Sequence, residues 1–117
     1  MKVVEYKNIN FYISSNANDN WKLFEESKKI NDNYIWFHLN SFSSPYVIMY
    51  CTIDELNNTR KNELNDILNF AANLCKQNSK YKYLNQLKII YTSLKKLSKG
   101  SEIGEVIIKG KTNIITL

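Results

Sequence analysis

The sequence predicts an α+β fold with a mostly antiparallel sheet and two main helices. Short segments rich in β-branched and aromatic residues alternate with two segments of helical periodicity, and few of the links between strands are long enough to join parallel neighbours. The chain has 117 residues and carries no repeat and no Gly/Pro/Ser-rich linker. We therefore expect one domain over residues 1–117, with the element order ββαββαβββ.

Strands and one helix account for the first half of the chain. Four strands are predicted, at residues 3–6, 9–13, 34–39 and 46–51. The helix between the second and third strands should begin near Asn18 or Asp19, because both residue types cap helix N-termini, and should run to Lys29.

The second half is expected to hold the main helix and three strands. Thr59 is the predicted N-cap, and Glu63 lies in the first turn. Apolar residues follow at helical spacing and predict one buried face: Leu64, Ile67, Leu68, Ala71, Leu74 and Cys75. The three strands are predicted at residues 87–92, 106–109 and 113–117, the last two forming a hairpin around Gly110-Lys111.

Residues 34–50 contain the densest aromatic run, together with the only histidine of the chain, His38. Side chains alternate along a strand, so Ile35, Phe37 and Leu39 should face a core, while Tyr34, Trp36 and His38 share the opposite face. Two interpretations fit that aromatic face. Either a helix covers it and each polar tip is hydrogen-bonded, or it is exposed as a platform on which nucleobases stack.

Catalysis is not expected. His38 has no acidic neighbour in its strand, and no nucleophile elbow, phosphate-binding loop or metal-ligand spacing occurs. Cys51 and Cys75 fit neither a zinc site nor a redox motif, so we expect two reduced thiols in an intracellular, cytoplasmic protein without metal or cofactor. No segment is long and apolar enough to span a membrane.

Positive charge is concentrated in the C-terminal third. Residues 76–117 hold nine lysines and two glutamates, a net charge of +7, whereas residues 1–75 carry a net charge of −2. Such clustering suits a polyanion, either nucleic acid or an acidic protein surface. The alternative is a merely solvated face, since abundant Lys and Asn also reflect AT-rich coding.

The candidate contacts fall into two groups. Lys95, Lys96 and Lys99, predicted in a loop between strands, are the first choice for phosphate contacts. The further candidates are Lys76, Lys80, Lys82, Lys109, Lys111, Trp36, His38, Ser43, Ser44, Asn16 and Asn20. Asn16 and Asn20 bracket a helix start, where they either present backbone N–H groups to an anion or act only as caps. Ser43 and Ser44 either bind phosphate or organise a turn.

An ordered series of short motifs resembles the NFACT-R family. The series begins with Asn16-Ala17-x-x-Asn20-x-x-Leu23, Trp36-Phe37-His38 and Ser43-Ser44-x-x-Val47, and continues through Ala71-Ala72-x-Leu74, Tyr91-Thr92 and Gly104-x-Val106 to Thr112-x-Ile114. The resemblance covers nearly the whole chain.

The resemblance implies nucleic-acid binding, RNA more readily than DNA, in the setting of ribosome quality control. A start at methionine without preceding domains is more similar to the short eukaryotic branch typified by coiled-coil domain-containing protein 25, in which a charged tail, absent here, follows the domain and offers a route to a protein partner. Three positions depart from the family pattern: Tyr34 replaces an Asp, Ser14-Ser15 replaces a Gly-basic pair, and Tyr46 replaces a second histidine.

Overall fold

A six-stranded antiparallel sheet forms the centre of the computed structural model, which describes all 117 residues. Its strands are β1 (Lys2–Tyr6), β2 (Ile9–Ile13), β3 (Tyr34–Leu39), β4 (Val47–Thr52), β5 (Lys88–Ser93) and β8 (Asn113–Thr116), in the spatial order β1-β2-β4-β3-β5-β8. A separate two-stranded sheet pairs β6 (Leu97–Lys99) with β7 (Val106–Ile108). The helices are α1 (Ala17–Ile30), α2 (Ile53–Thr59) and α3 (Leu64–Gln77). The predicted α+β class and antiparallel sheet are confirmed.

The central strand β3 is buried on both faces. Ile35, Phe37 and Leu39 point to one side and join the larger core, against which α3 packs through Ile67 and Ala71. This arrangement confirms the predicted core face of the strand and the predicted buried face of the main helix. Alternation along the strand makes it possible, because successive side chains reach opposite sides of the sheet.

The opposite face of β3 carries Trp36 and His38, which we call the aromatic row, and this face is covered as well. Trp36 is 2% exposed and packs in a second core with Leu23 and Phe24 of α1 and with Leu94 and Leu97 from the chain that follows β5. A stacking platform on this face is therefore excluded. The expectation that a helix covers this face is correct, but the expectation that each polar tip is hydrogen-bonded is wrong for Trp36, whose indole N–H has no partner.

The helix boundaries differ from the prediction at two places. The first helix begins earlier than expected, because the side-chain oxygen of Asn16 accepts a hydrogen bond from the backbone N–H of Asp19 at 2.9 Å and is the N-cap. A short helix, α2, was missed, and Thr59 ends it instead of capping the main helix. Thr52 is its N-cap, accepting from the backbone N–H of Glu55 at 3.1 Å.

The predicted C-terminal hairpin is wrong. β7 pairs with β6, which was not predicted, while β8 crosses back to pair with β5. The burial of Leu97 explains the outcome. Leu97 is the first residue of β6, and its buried side chain stabilises even a three-residue strand. Gly110, with φ of +92°, turns the chain from one sheet to the other rather than within a hairpin. No helix of the structure is long and apolar enough to cross a membrane.

The burial of α3 against the sheet can be tested with Ile67→Ala. Ile67 is fully buried, so the substitution should lower the free energy of unfolding by about 2–5 kcal/mol, measured by urea titration. Asn69→Ala, an exposed position on the same helix, is the matched control and should change that free energy by less than about 0.5 kcal/mol. Equal effects at the two positions would contradict the assigned orientation of α3.

Candidate functional site

A cleft of about 950 Å³ opens at the end of the sheet where β3 ends and β4 begins. Four segments line it: the β3–β4 loop, the start of α1, the turn after α3 and the loop between β6 and β7. The cleft brings together seven of the predicted site residues: Asn16, Asn20, Trp36, His38, Ser43, Ser44 and Lys80. Its size lies within the range of small-ligand sites in proteins.

Trp36 and His38 lie side by side in the cleft. Their rings are nearly parallel, with an interplanar angle of 6° and 5.4 Å between centroids, as expected for residues i and i+2 of one strand. The indole N–H of Trp36 is buried and has no hydrogen-bond partner in the chain. Leaving such a donor unpaired costs about 1–3 kcal/mol, so this N–H requires an explanation.

The protonation state of His38 follows from its surroundings. Its Nδ1 lies 2.7 Å from the carbonyl oxygen of Leu39, so Nδ1 carries the proton and donates. Burial lowers the pKa of His38 below the usual 6.5, and the hydrogen bond to Leu39 opposes this shift only in part. The ring is therefore neutral at pH 7, and its Nε2, which has no partner in the chain, is a hydrogen-bond acceptor.

Groups of the chain itself already bond the backbone N–H groups at the start of α1. The Asp19 carboxylate accepts from the backbone N–H of Ser15 at 2.9 Å and lies 3.3 Å from the N-terminal ammonium group. These contacts, the Ser15 N–H first, lower the pKa of Asp19, so it is ionised at neutral pH. Because Asn16 and the Asp19 carboxylate already accept from backbone N–H groups here, an added anion would compete with them. The structure thus favours the capping interpretation of Asn16.

Two of the departures from the family pattern are in direct contact. Backbone and side-chain hydrogen bonds join Ser14 to Tyr46, and the Ser14 hydroxyl also donates to the side-chain oxygen of Asn20. The Tyr46 hydroxyl donates to the carbonyl oxygen of Gly104 at 2.5 Å. Burial raises the pKa of Tyr46 far above its usual value, so this hydroxyl stays protonated. This hydrogen bond from Tyr46 to Gly104 therefore holds the β6–β7 loop against the aromatic row.

Gly104 is required where this loop meets α1. Its φ is +86°, and a Cβ at this position would come within 2.8 Å of the backbone of Ala17. The same loop is held from the other side, where the Trp21 indole N–H donates to the Glu105 carbonyl at 2.8 Å. The wall of the cleft is thus a fixed loop.

The hydroxyl groups of Ser43 and Ser44 differ in whether they are free to bond a ligand. The Ser44 hydroxyl accepts from the backbone N–H of Leu39 and donates to the carbonyl of Pro45, which is the turn-organising role. Ser43 is exposed and makes no hydrogen bond within the chain, so its hydroxyl is free at the mouth of the cleft.

The predicted lysines do not form one surface. Lys95 and Lys96 lie in a 3-10 turn, residues 94–96, rather than in a loop, and the Lys96 carbonyl accepts from the backbone N–H of Lys109 at 2.8 Å. Lys95 donates its backbone N–H to the carbonyl of Asp32, just before β3 begins. We call Lys95, Lys96 and Lys109 the basic end. The cleft extends along β7 as far as Ile108, and Lys109 of the basic end is the next residue.

The remaining lysines have varied settings. Lys99 ends β6, forms an ion pair with Glu25 and lies over the Trp21 ring, 4.8 Å from its centroid, so it is less available for phosphate than predicted. Lys76 lies in the last turn of α3, and Lys80 and Lys82 follow that helix. Lys82 lies 5.1 Å from the centroid of the exposed Tyr83 ring. Lys111 is exposed beyond the basic end.

Sequence reasoning missed two apolar residues at the mouth of the cleft. Phe42 and Ile103 are 39% and 60% exposed, and the Phe42 ring packs against Tyr81 at 4.4 Å between centroids. Large apolar side chains within otherwise polar loops were the signal available in the sequence. No group of three His, Cys, Asp or Glu side chains comes together in a way that could hold a metal ion.

Comparison with known proteins adds the family. The family model described as the NFACT protein RNA binding domain matches residues 4–115. The chain belongs to this family. Membership of the NFACT RNA-binding domain family supports a nucleic-acid-binding module.

A solved structure of similar fold is that of the C-terminal part of the fibronectin/fibrinogen-binding protein from Streptococcus suis. The TM-score is 0.72 at 21% sequence identity, and the similarity covers 93% of this chain. It covers only 40% of that chain, so this domain corresponds to less than half of the relative's solved length. No curated protein matches the sequence.

The depressed pKa of His38 predicts a pH effect on stability. In the unfolded chain His38 takes up a proton near pH 6.5, whereas in the folded protein it does so only at lower pH. The unfolded state therefore binds more protons between these two values, and the free energy of unfolding should fall as the pH drops through that window.

Urea titrations between pH 7.5 and 5, on the wild type and on His38→Gln, measure this effect. The variant lacks the titrating ring and should lose less stability over the same range. Asp19 and Asp66, whose pKa values are lowered, titrate below about pH 4 and so outside this window. An identical pH dependence in the two proteins would show that the His38 pKa is not depressed.

Proposed function

We propose that this chain is an RNA-binding module whose lysines contact phosphates and which performs no catalysis. The observation that carries the proposal is the family match over residues 4–115. The net charge of +7 in residues 76–117 supports it, because phosphate contacts supply most of the sequence-independent affinity for nucleic acid.

The basic end is the surface that we propose for these phosphates. Lys95 and Lys109 are exposed and make no side-chain ion pair, and Lys96 joins them through the backbone. Lys28 adds a fourth positive charge nearby, since its Nζ donates to the carbonyl of Leu97 at 2.8 Å. Unpaired, solvated ammonium groups are suited to exchange water and counterions for phosphate.

We further propose a ribosomal setting, as the resemblance to the ribosome quality-control factors implies, and a relationship to the short eukaryotic branch. DNA binding, which is attributed to that branch, and binding of an acidic protein are the alternatives. Each alternative gives a distinct result below. The proposal that the chain performs no catalysis rests on His38, whose side chain bonds a backbone carbonyl and no acidic group.

The test is a fluorescence-anisotropy titration of labelled single-stranded RNA over a range of salt concentrations. Affinity should fall steeply with salt, and DNA of the same sequence should bind more weakly. Equal or tighter DNA binding would favour the DNA alternative. Affinity that does not depend on salt, or no binding at low salt, would contradict the proposal. Partners that survive nuclease treatment of a lysate would favour the protein alternative.

A pair of charge-matched variants tests the placement of the phosphates. Lys95→Glu/Lys109→Glu should weaken RNA binding and lower the slope of log affinity against log salt by about 0.7 for each phosphate that the variant no longer neutralises. Lys22→Glu/Lys61→Glu changes the net charge equally at two other exposed lysines and should have the smaller effect on both quantities. Equal effects would mean that net charge alone, and not the basic end, determines the affinity.

A further inference from the structure

Two residues that line the cleft carry a hydrogen-bonding group without a partner in the chain, a donor on Trp36 and an acceptor on His38. Trp36 is only 2% exposed, yet its indole N–H has no partner, although buried donors in folded proteins are nearly always paired. His38, stacked in parallel beside it, presents a free Nε2 acceptor because its Nδ1 is held by the Leu39 carbonyl. A ligand that offers an acceptor and a donor on one edge would satisfy both.

The charge of the cleft does not favour phosphate. Lys2 and Lys80 line it on one side and Glu102 and Glu105 on the other, so the formal charges balance. The adjacent start of α1 is already occupied by the Asp19 carboxylate. A neutral group is therefore the better occupant of the cleft, in contrast to the basic end, whose exposed Lys95 and Lys109 make no ion pair.

The mouth of the cleft is suited to a flat, partly apolar group. Phe42 and Ile103 are exposed and both line the cleft, one on the β3–β4 loop and the other on the β6–β7 loop. They offer apolar surface to an aromatic ring that enters the cleft. The free hydroxyl of Ser43 lies next to Phe42 in the same loop.

We propose that the cleft takes one unpaired nucleobase of the bound strand, whose edge is hydrogen-bonded by the Trp36 N–H and by Nε2 of His38. Every nucleobase carries an acceptor and a donor side by side on its pairing edge, and that edge is accessible only in single-stranded nucleic acid. This inference rests on the proposed function. It differs from a stacking platform, because the base enters by its edge and the aromatic rings stay in the core.

Two substitutions of His38 distinguish the role of its Nε2 acceptor in the cleft from that of its Nδ1 donor to Leu39. The amide of Asn falls near Nδ1 of the histidine that it replaces, whereas the amide of Gln falls near Nε2. His38→Asn therefore keeps a donor to Leu39 and loses the acceptor in the cleft, while His38→Gln keeps an acceptor there. Both lose the ring that stacks on Trp36, so they form a matched pair.

Affinity for a short single-stranded RNA should fall by about tenfold in His38→Asn and by clearly less in His38→Gln, with the salt dependence of binding unchanged in both. Thermal melting of each variant verifies that it is folded. Equal affinities of the two variants would overturn the proposal.

A second measurement uses the unmodified chain, labelled with ¹⁵N. Adenosine, cytidine, guanosine and uridine, which carry no phosphate, should shift the indole N–H resonance of Trp36, and so should single-stranded RNA. Trp21, whose N–H is bonded to Glu105, is the internal control and should shift less. A duplex RNA of the same length should leave the Trp36 resonance unchanged.

The outcomes separate this inference from the proposed function. Salt-dependent RNA binding with an unmoved Trp36 resonance would leave the proposed function in place and show that Trp36 holds only water. Equal shifts with duplex RNA would overturn the inference as well, since a duplex hides the base edges. An absence of RNA binding would overturn both.

Discussion

The burial of β3 on both faces is the constraint on which the rest of the structure depends. A strand with Phe37 on one side and Trp36 on the other needs cover above and below, and the chain supplies it with α3 on one face and α1 with the small sheet on the other. Because both faces are closed, ligands can reach this strand only at its ends.

That closure explains why the site lies where it does. Tyr46 and Trp21 hold the β6–β7 loop through the carbonyls of Gly104 and Glu105, which seals the aromatic row everywhere except at the cleft. At the opposite end of β3, the 3-10 turn and the pairing of β6 with β7 bring Lys95, Lys96 and Lys109 together. β7 thus borders both the neutral cleft, through Val106 and Ile108, and the basic end, through Lys109.

Local patterns predicted much of this arrangement. Alternation assigned the two faces of β3 correctly, and helical spacing found the buried face of α3. Local patterns could not predict the pairing of β6 with β7. This three-residue strand is stabilised by the burial of Leu97 and not by the strand propensity of its residues. Thr52 and Thr59 are equally good caps in sequence, but Thr52 caps the short helix α2, which was not predicted, and Thr59 ends that helix.

The candidate site was predicted in composition but not in geometry. Seven of the fourteen predicted residues meet in the cleft, and three form the basic end, yet no local pattern shows which residues join which group. The unpaired N–H of Trp36 is also invisible in sequence, since only the packed structure shows which polar atoms find partners. Phe42 and Ile103 were missed because isolated apolar residues in loops have many ordinary explanations.

The central claim, that phosphate and base are bound at two separate places, is tested most directly by combining the variants. The affinity of Lys95→Glu/Lys109→Glu/His38→Asn for single-stranded RNA is measured beside that of the lysine pair and of His38→Asn alone. His38 has no contact with Lys95 or Lys109, so the two reductions in affinity should multiply in the combined variant. A combined reduction no greater than the larger single one would show that the lysines and His38 serve one site, and would contradict the account.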